Sequence, residues 1–163
     1  MSISEDAIER ADGSSGIYGV VEKPDFALVV PVDRGGFHLV QQYRYPVRGH
    51  YLEFPQGSWE ERPETDPLEV ARGELEEETG LRAGTLRHLG HLFEAYGYCT
   101  QGFHIFLATD LTTGQQMLSP EEQDVRTRWV GHSEFWSLVQ SGELKDAPSL
   151  AAYALLMQAP EFR

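Results

Sequence analysis

Residues 66–80 predict a helix whose two ends are both marked in the sequence, and this helix limits the folds open to the chain. Asp66 is a good N-cap, Pro67 suits the first helical position, and Gly80 can take the left-handed conformation that ends a helix. Between these ends we expect an apolar stripe to face the protein core. The stripe consists of Leu68, Ala71 and Leu75. One side of this helix must therefore pack against another layer of structure.

Beside the apolar stripe lie three glutamates at positions i, i+3 and i+4, namely Glu74, Glu77 and Glu78. At 3.6 residues per turn this spacing places their carboxylates on one face of the helix, where like charges repel. A cluster of this kind favours a cationic partner, and Mg²⁺ binds carboxylate oxygens while leaving positions open for phosphate groups. The pattern therefore predicts a metal and phosphate site, and a solvated acidic face is the alternative.

Length and composition indicate one globular domain. The chain has 163 residues, 40% of them hydrophobic, which is enough to bury a core. The net charge of −13 disfavours binding to nucleic acid or to anionic membranes. The single cysteine, Cys99, excludes an internal disulfide, and no apolar leader or membrane-spanning run is evident, so we expect a cytoplasmic protein. We place the domain at residues 17–163, after a polar segment at residues 1–16 that is flexible or forms a short helix.

Strand and helix patterns follow one another along the chain and predict an α/β sandwich. Strands are expected at residues 17–22, 25–32, 37–43, 51–54, 85–95, 103–109 and 125–130. Residues 33–36 have the composition of a hairpin turn. Two further helices are expected near the end of the chain, one capped by Ser133 and the other opened by Pro148.

The segment from residue 57 to residue 81 resembles the Nudix box, G-x5-E-x7-R-E-U-x-E-E-x-G-U, in which U is an aliphatic residue. Its second half matches in register at Glu74, Leu75, Glu77, Glu78, Gly80 and Leu81. The first half is two residues longer than the box after Gly57, so Glu64 takes the place of the first box glutamate only with an insertion. Gly73 stands where the box has arginine, and a glycine inside a helix costs about 1 kcal/mol relative to alanine.

Residues 25–57 and 121–156 resemble the ADP-ribose pyrophosphatase branch of the Nudix hydrolases. The resemblance implies an α/β/α sandwich around a mixed β-sheet, Mg²⁺ or Mn²⁺ as cofactor, and a homodimer as one possible assembly. It also implies hydrolysis of the pyrophosphate linkage of ADP-ribose or a related nucleotide sugar, giving a nucleoside monophosphate and a sugar phosphate. By the same resemblance, the metal ligands would be the three helical glutamates, the backbone carbonyl of Gln56 and, as a further candidate, Glu64.

Hydrolysis also needs a group that activates water, and the sequence leaves two sources open. Glu77 or Glu78 can act from within the helical cluster. The resemblance instead implies Glu121 or Glu122, which lie in a polar loop at residues 114–124. This loop is long enough to act as a movable lid, and a disordered acidic tip is the alternative.

Candidate substrate contacts lie at strand ends. Arg44 stands among tyrosines and either contacts the substrate or covers them at the surface, and Glu53 faces either the same pocket or solvent. Tyr96 and Tyr98 either stack on a base or pack within their loop. A tyrosine sixteen residues beyond Gly80 resembles the dinucleoside polyphosphate hydrolases of the superfamily. Such a hydrolase and a sensor that binds a nucleotide sugar without cleaving it therefore stay open as alternatives.

The six histidines show no spacing typical of a zinc site. His88 and His91 are expected on opposite faces of one strand. Neither Ser58 nor Cys99 stands in a sequence context that activates a nucleophile, so covalent catalysis is not expected.

Overall fold

The computed structural model describes residues 1–118 and 123–162 and has the mixed α/β architecture predicted from the sequence. Within these residues the strands are β1 (Ser2–Glu9), β2 (Ser15–Glu22), β3 (Phe26–Asp33), β4 (Gly36–Arg44), β5 (Gly49–Glu53), β6 (Gln56–Gly57), β7 (Leu81–Phe93), β8 (Gly102–Thr113) and β9 (Arg126–Gly131). The helices are α1 (Pro67–Thr79), α2 (His132–Ser141) and α3 (Ala147–Leu156), with 3₁₀ turns at Tyr45–Val47 and Pro160–Phe162. The seven predicted strands are present with shifted ends, and strands β1 and β6 were not predicted.

A mixed sheet forms the centre of the molecule. Its strand order is β5-β4-β3-β8-β7, β6 pairs with β3, and β9 pairs with β4. Strands β3 and β8 are parallel, whereas the other pairs are antiparallel. The predicted turn between β3 and β4 is also present, with positive φ values of 51° at Arg34 and 73° at Gly35, as a two-residue hairpin turn of the favoured type requires.

Helices cover both faces of this sheet. On one face Ala71 and Leu75 of α1 pack against Val29 of β3. On the other face Phe135 of α2 belongs to a second apolar cluster that includes Leu28 of β3. Because successive residues of β3 contact opposite layers, both of its faces are buried, which explains its nearly continuous apolar run.

Helix α1 begins and ends as predicted, but its buried face is rotated from the expected one. The Asp66 side chain accepts a hydrogen bond of 2.9 Å from the Leu68 N–H, and Gly80 ends the helix with a φ of 67°. The buried residues of the helix are Val70, Ala71, Glu74, Leu75 and Glu78. The expected place of Leu68 in the packed stripe is wrong, because this face excludes it and leaves it 37% exposed.

The N-terminal residues form a hairpin. Strand β1 pairs with β2 in antiparallel register from Ser2 opposite Glu22 to Glu9 opposite Ser15. The short helix considered for residues 1–15 is therefore wrong, because the segment finds a pairing partner in β2. The division between residues 1–16 and a domain at residues 17–163 stays a prediction.

Two details of the other elements also differ from expectation. Gly131, rather than Ser133, is the N-cap residue of α2 and supplies no side-chain cap, whereas Asp146 caps α3 by accepting from the Ser149 N–H at 2.9 Å. In β7 the register shifts between His88 and Gly90, so that His88 lies opposite Phe106 and His91 lies opposite His104. This irregularity adds a residue to the strand and turns both histidines to the same face, so their expected placement on opposite faces is wrong.

In the part of the chain that the structure describes, the helices are too short or too polar to span a bilayer. The cytoplasmic location stays a prediction.

Candidate active site

The glutamates of α1 lie against the short strand β6. A Cβ added at Gly57 would stand 2.4 Å from Oε2 of Glu74, so this carboxylate lies directly on the Gly57 backbone. The Gln56 N–H donates a hydrogen bond of 3.0 Å to Oε2 of Glu78. Glu74 and Glu78 are buried and Glu77 is half-buried. The structure thus places the carboxylates of Glu74 and Glu78 against the backbone of residues 56–57.

The Gln56 side chain lies beside Asp146, the N-cap residue of α3. Its Nε2 lies 3.3 Å from Oδ2 of Asp146, whereas its Oε1 is buried and receives no hydrogen bond from the described residues. A buried amide oxygen without a donor costs free energy, and an ion or water is the usual explanation. Hard divalent cations bind carboxylate and backbone carbonyl oxygens, so Glu74 and Glu78, which lie against the backbone of residues 56–57, fit a metal of the Mg²⁺ type.

A second group of polar side chains stands beside the helix. Glu53 is 2% exposed, and it accepts hydrogen bonds from Arg44 Nε at 3.1 Å and from Gln42 Nε2 at 2.6 Å. The placement of Glu53 in solvent, one of the two alternatives, is therefore wrong. Burial raises the pKa of the Glu53 carboxyl above its usual value, although the Arg44 charge and the hydrogen bonds oppose this rise.

Arg44 connects this pair to the glutamate cluster. Its charge interacts with Glu78 and Asp146 as well as with Glu53, and 40% of its side chain is exposed. The residue is thus a cation fixed at one end by a buried carboxylate and open to solvent at the other. A guanidinium held in this way suits binding to an anion such as phosphate.

Other residues predicted for the site lie apart from it. Glu64 is exposed in the turn before Pro67, whereas Glu78 lies in the last turn of α1, about 16 Å from Pro67 along the axis at 1.5 Å per residue. Tyr96 and Tyr98 are 85% and 59% exposed. No described contact joins these three residues to the helical glutamates, and their predicted roles stay predictions without geometric support.

The tyrosine loop instead lies against the N-terminal hairpin. The Tyr98 carbonyl accepts a hydrogen bond of 2.8 Å from the Val21 N–H, and the Tyr18 hydroxyl donates to the Gly97 carbonyl. These contacts explain how an exposed aromatic loop is positioned without reference to a ligand.

The predicted lid is described only at its two flanks, and Glu121 and Glu122 lie outside the described residues. On one flank Gln116 Nε2 donates to the Glu78 carbonyl at 2.6 Å. On the other flank Asp124 accepts from the Tyr43 N–H at 2.9 Å, next to Arg44. Both flanks of the loop are therefore anchored beside the glutamate cluster.

Sequence reasoning missed Trp59, which explains the departure at Gly73. A Cβ added at Gly73 would stand 2.3 Å from Cζ2 of Trp59, so the indole fills the space beside this glycine. The guanidinium carbon of Arg62 lies 4.5 Å from the centroid of the indole ring, within the range of a cation–π contact. Two features of the sequence signal this contact, namely the longer loop after Gly57 and the glycine at the box arginine position. Sequence reasoning also missed two further polar residues of the site, Gln42 beside Glu53 and Asp146 beside Gln56.

Comparison with known proteins identifies the family, since the NUDIX domain model matches residues 22–153. The chain belongs to the Nudix family. An ADP-ribose pyrophosphatase of Bacillus subtilis (strain 168) is 31% identical over 150 residues, covering 91% of this chain and 79% of that protein. An ADP-ribose pyrophosphatase of Mycobacterium tuberculosis (strain ATCC 25618 / H37Rv) is 32% identical over 126 residues, covering 77% of this chain and 60% of that protein.

The Nudix fold is also found in a solved structure. The crystal structure of an ADP compounds hydrolase superposes with a TM-score of 0.84 at 21% identity, covering 96% of this chain and 84% of that one. At this identity the likeness shows the fold alone. The family match and the two relatives show that the chain is a Nudix pyrophosphohydrolase and confirm its predicted place in the ADP-ribose pyrophosphatase branch.

Proposed function

We propose that this Nudix domain hydrolyses the pyrophosphate linkage of ADP-ribose or a related nucleotide sugar, with Mg²⁺ or Mn²⁺ as cofactor. The products would be a nucleoside monophosphate and a sugar phosphate. The observation that carries the proposal is the meeting of buried Glu74 and Glu78 with residues 56–57 beside the half-exposed Arg44. Relatives named as ADP-ribose pyrophosphatases support the choice of substrate class.

The metal would be held by the carboxylates of Glu74, Glu77 and Glu78, the first and last of which lie against the backbone of residues 56–57. A ligand role for the Gln56 backbone carbonyl remains part of this proposal. When bound, a divalent cation neutralises phosphate charge and polarises the phosphorus centre.

Arg44 would bind a phosphate oxygen of the substrate. The buried Glu53 carboxylate accepts from the guanidinium through Nε and Nη2 and so fixes its plane, while the exposed part of the side chain keeps further N–H groups for the ligand. In this arrangement Glu53 is a positioning residue that acts through Arg44. Its own buried carboxylate does not need to touch the substrate.

Water activation has two candidate sources in this proposal. Glu77 is half-buried within the helical cluster. Glu121 or Glu122 would act from the loop whose flanks are anchored at the Glu78 carbonyl and at the Tyr43 N–H. The two sources can be separated, because E121Q and E122Q would slow turnover without weakening metal binding, whereas E77Q would reduce both.

The test is AMP release from ADP-ribose by the full chain with Mg²⁺ or Mn²⁺. We expect E78Q to lower kcat/KM by at least about 100-fold, in line with the loss of one group that stabilises charge in the transition state. E69Q is the matched control, because Glu69 is an exposed residue in the first turn of the same helix and the charge change is equal.

A substrate panel with other nucleotide sugars and Ap4A would refine or reject the assignment. Release of AMP from Ap4A with ADP-ribose left intact would favour the dinucleoside polyphosphate hydrolases. Tight binding without product from any compound would favour the sensor. The oligomeric state, for which the resemblance makes a homodimer one candidate, can be measured on the same samples by light scattering.

A further inference from the structure

A second cluster of metal-binding side chains lies outside the glutamate site. Asp25 directly precedes β3, His91 lies on β7, and His104 lies on β8. One donor atom from each of the three residues lies within 4.8 Å of the others. Oδ2 of Asp25 is 2.7 Å from Nε2 of His91 and 3.8 Å from Nε2 of His104. Three neighbouring parts of the sheet therefore direct ligand atoms toward one point.

Each ligand is oriented by a contact behind it. The Gly102 N–H donates a hydrogen bond of 2.7 Å to Oδ1 of Asp25, which leaves Oδ2 turned toward the histidines. Nδ1 of His104 lies 3.3 Å from Nε2 of His88. When His104 donates its Nδ1 proton to His88, the lone pair of its Nε2 is available to a metal. Partners of this kind are usual behind metal-bound histidines, where they set the tautomer and the ring orientation.

The backbone leaves room for the cluster at Gly102. A Cβ added there would stand only 2.4 Å from Nε2 of His91. Any side chain at this position would therefore push His91 away from Asp25. Beside the cluster lies a small cavity of about 50 Å³, bordered by Asp25 and His104 on one side and by Trp59 and Arg62 on the other. This space can hold a water molecule that completes a coordination shell.

A simple surface ion pair does not account for this arrangement. It would explain the contact between Asp25 and His91, but not the placement of His104 at the same carboxylate oxygen or of His88 behind it. Two imidazole nitrogens and one carboxylate oxygen are a common ligand set for Zn²⁺, with a fourth position left for water.

We propose that Asp25, His91 and His104 bind a transition metal ion of the Zn²⁺ class, with His88 as the positioning residue behind His104. The site is separate from the glutamate cluster but close to it. Ala27 of β3 lies opposite Gly57 on one side and opposite His104 on the other, so two strand spacings, about 10 Å, separate Gly57 from His104. Because the ligands belong to three adjacent parts of the sheet, the bound ion would also cross-link β7 and β8 to the start of β3.

The test is a titration of the metal-stripped full chain with Co²⁺ in the presence of excess Mg²⁺. The Mg²⁺ occupies the glutamate cluster, since it prefers oxygen ligands and does not compete for imidazole. We expect one equivalent of Co²⁺ to give the intense visible bands of a four-coordinate site and Zn²⁺ to displace it. Zn²⁺ should also raise the melting temperature of the chain, because it binds the folded state.

Variants assign the ligands. H91Q and H104Q should abolish the saturable Co²⁺ spectrum, and H88Q should keep the stoichiometry but weaken Zn²⁺ binding by about 10- to 100-fold, as expected for a group behind a ligand. H50Q is the matched control, because His50 lies 3.4 Å from Asp124 in a histidine–carboxylate pair of the ordinary kind. It should change nothing.

Unchanged Co²⁺ affinity in the folded double variant H91Q/H104Q would overturn the proposal, and so would a loss of binding caused by H50Q. Should the histidine variants fail to fold, the ring ¹⁵N signals of the unmodified chain decide the question. Zn²⁺ is expected to shift the Nε2 signals of His91 and His104, and shifts confined to other histidines would contradict the site.

Discussion

The two clusters of ligand side chains in this protein differ in how the chain assembles them. The glutamates of α1 lie within two helical turns of one segment, so their relative positions follow from the geometry of a single element. Asp25, His91 and His104 come from three parts of the sheet and meet only because the strands pair in a particular register. The first cluster depends on local structure and the second on long-range pairing.

In each of the two clusters one glycine leaves space for a ligand side chain. Gly57 leaves room for the Glu74 carboxylate, and Gly102 leaves room for the His91 ring, with an added Cβ at 2.4 Å from the nearest atom in both cases. Both glycines lie in strands, where glycine is unfavourable. In each case the close approach of a functional side chain to the backbone explains the residue.

Exchanging these glycines for alanine should separate the two clusters. Gly57→Ala should lower kcat/KM for ADP-ribose by at least about tenfold, equivalent to ~1.4 kcal/mol of transition-state stabilisation, and leave Co²⁺ binding in excess Mg²⁺ unchanged. Gly102→Ala should do the reverse, because its Cβ displaces His91 rather than Glu74. Hydrolysis assays and Co²⁺ titrations on both variants check this, and equal losses of both properties in either variant would contradict the separation.

The same contrast explains what the sequence could and could not predict. The limits of α1 follow from Asp66 and Gly80, and the turn after β3 follows from its glycines, because these signals act over a few residues. The histidine cluster depends on one added residue in β7 near Leu89, which reverses the face of every following side chain. Gly90 stands at this irregularity, and a glycine inside a strand often marks a bulge, but the alternating strand pattern alone placed His88 and His91 on opposite faces.

Gly73 shows an intermediate case, in which the sequence signalled a departure without its cause. The absent box arginine and the longer loop were both visible, but the packing of Trp59 on Gly73 joins residues from different elements. The exposed position of Leu68 has a similar origin, because packing against the sheet fixes the rotation of α1 and caps do not. Contacts between elements decide these details.

A double-mutant cycle between Trp59 and Gly73 should sharpen this point. Gly73→Ala should lower the free energy of unfolding by about 1–2 kcal/mol, although alanine favours helices by about 1 kcal/mol, because the indole must move. In a Trp59→Ala background the same change should stabilise the protein, which gives a clear coupling energy. Urea denaturation of the four proteins measures it. A stabilising Gly73→Ala in the presence of Trp59 would show that the ring moves without cost.

The smallest expected effect concerns Glu53, whose pKa burial raises above the ordinary value of 4.5 against the opposing charge of Arg44. Because the folded state then holds the Glu53 proton more tightly than the unfolded chain, the contribution of this carboxyl to stability falls as pH rises from about 4.5 through the folded pKa. Glu53→Gln carries no such titration. The stability of E53Q relative to the unmodified protein, measured by urea denaturation at a series of pH values, should therefore increase with pH across this range. A relative stability of E53Q that decreases with pH would contradict this expectation. It would mean that the ion pair with Arg44 outweighs burial and lowers the pKa of Glu53 in the folded state.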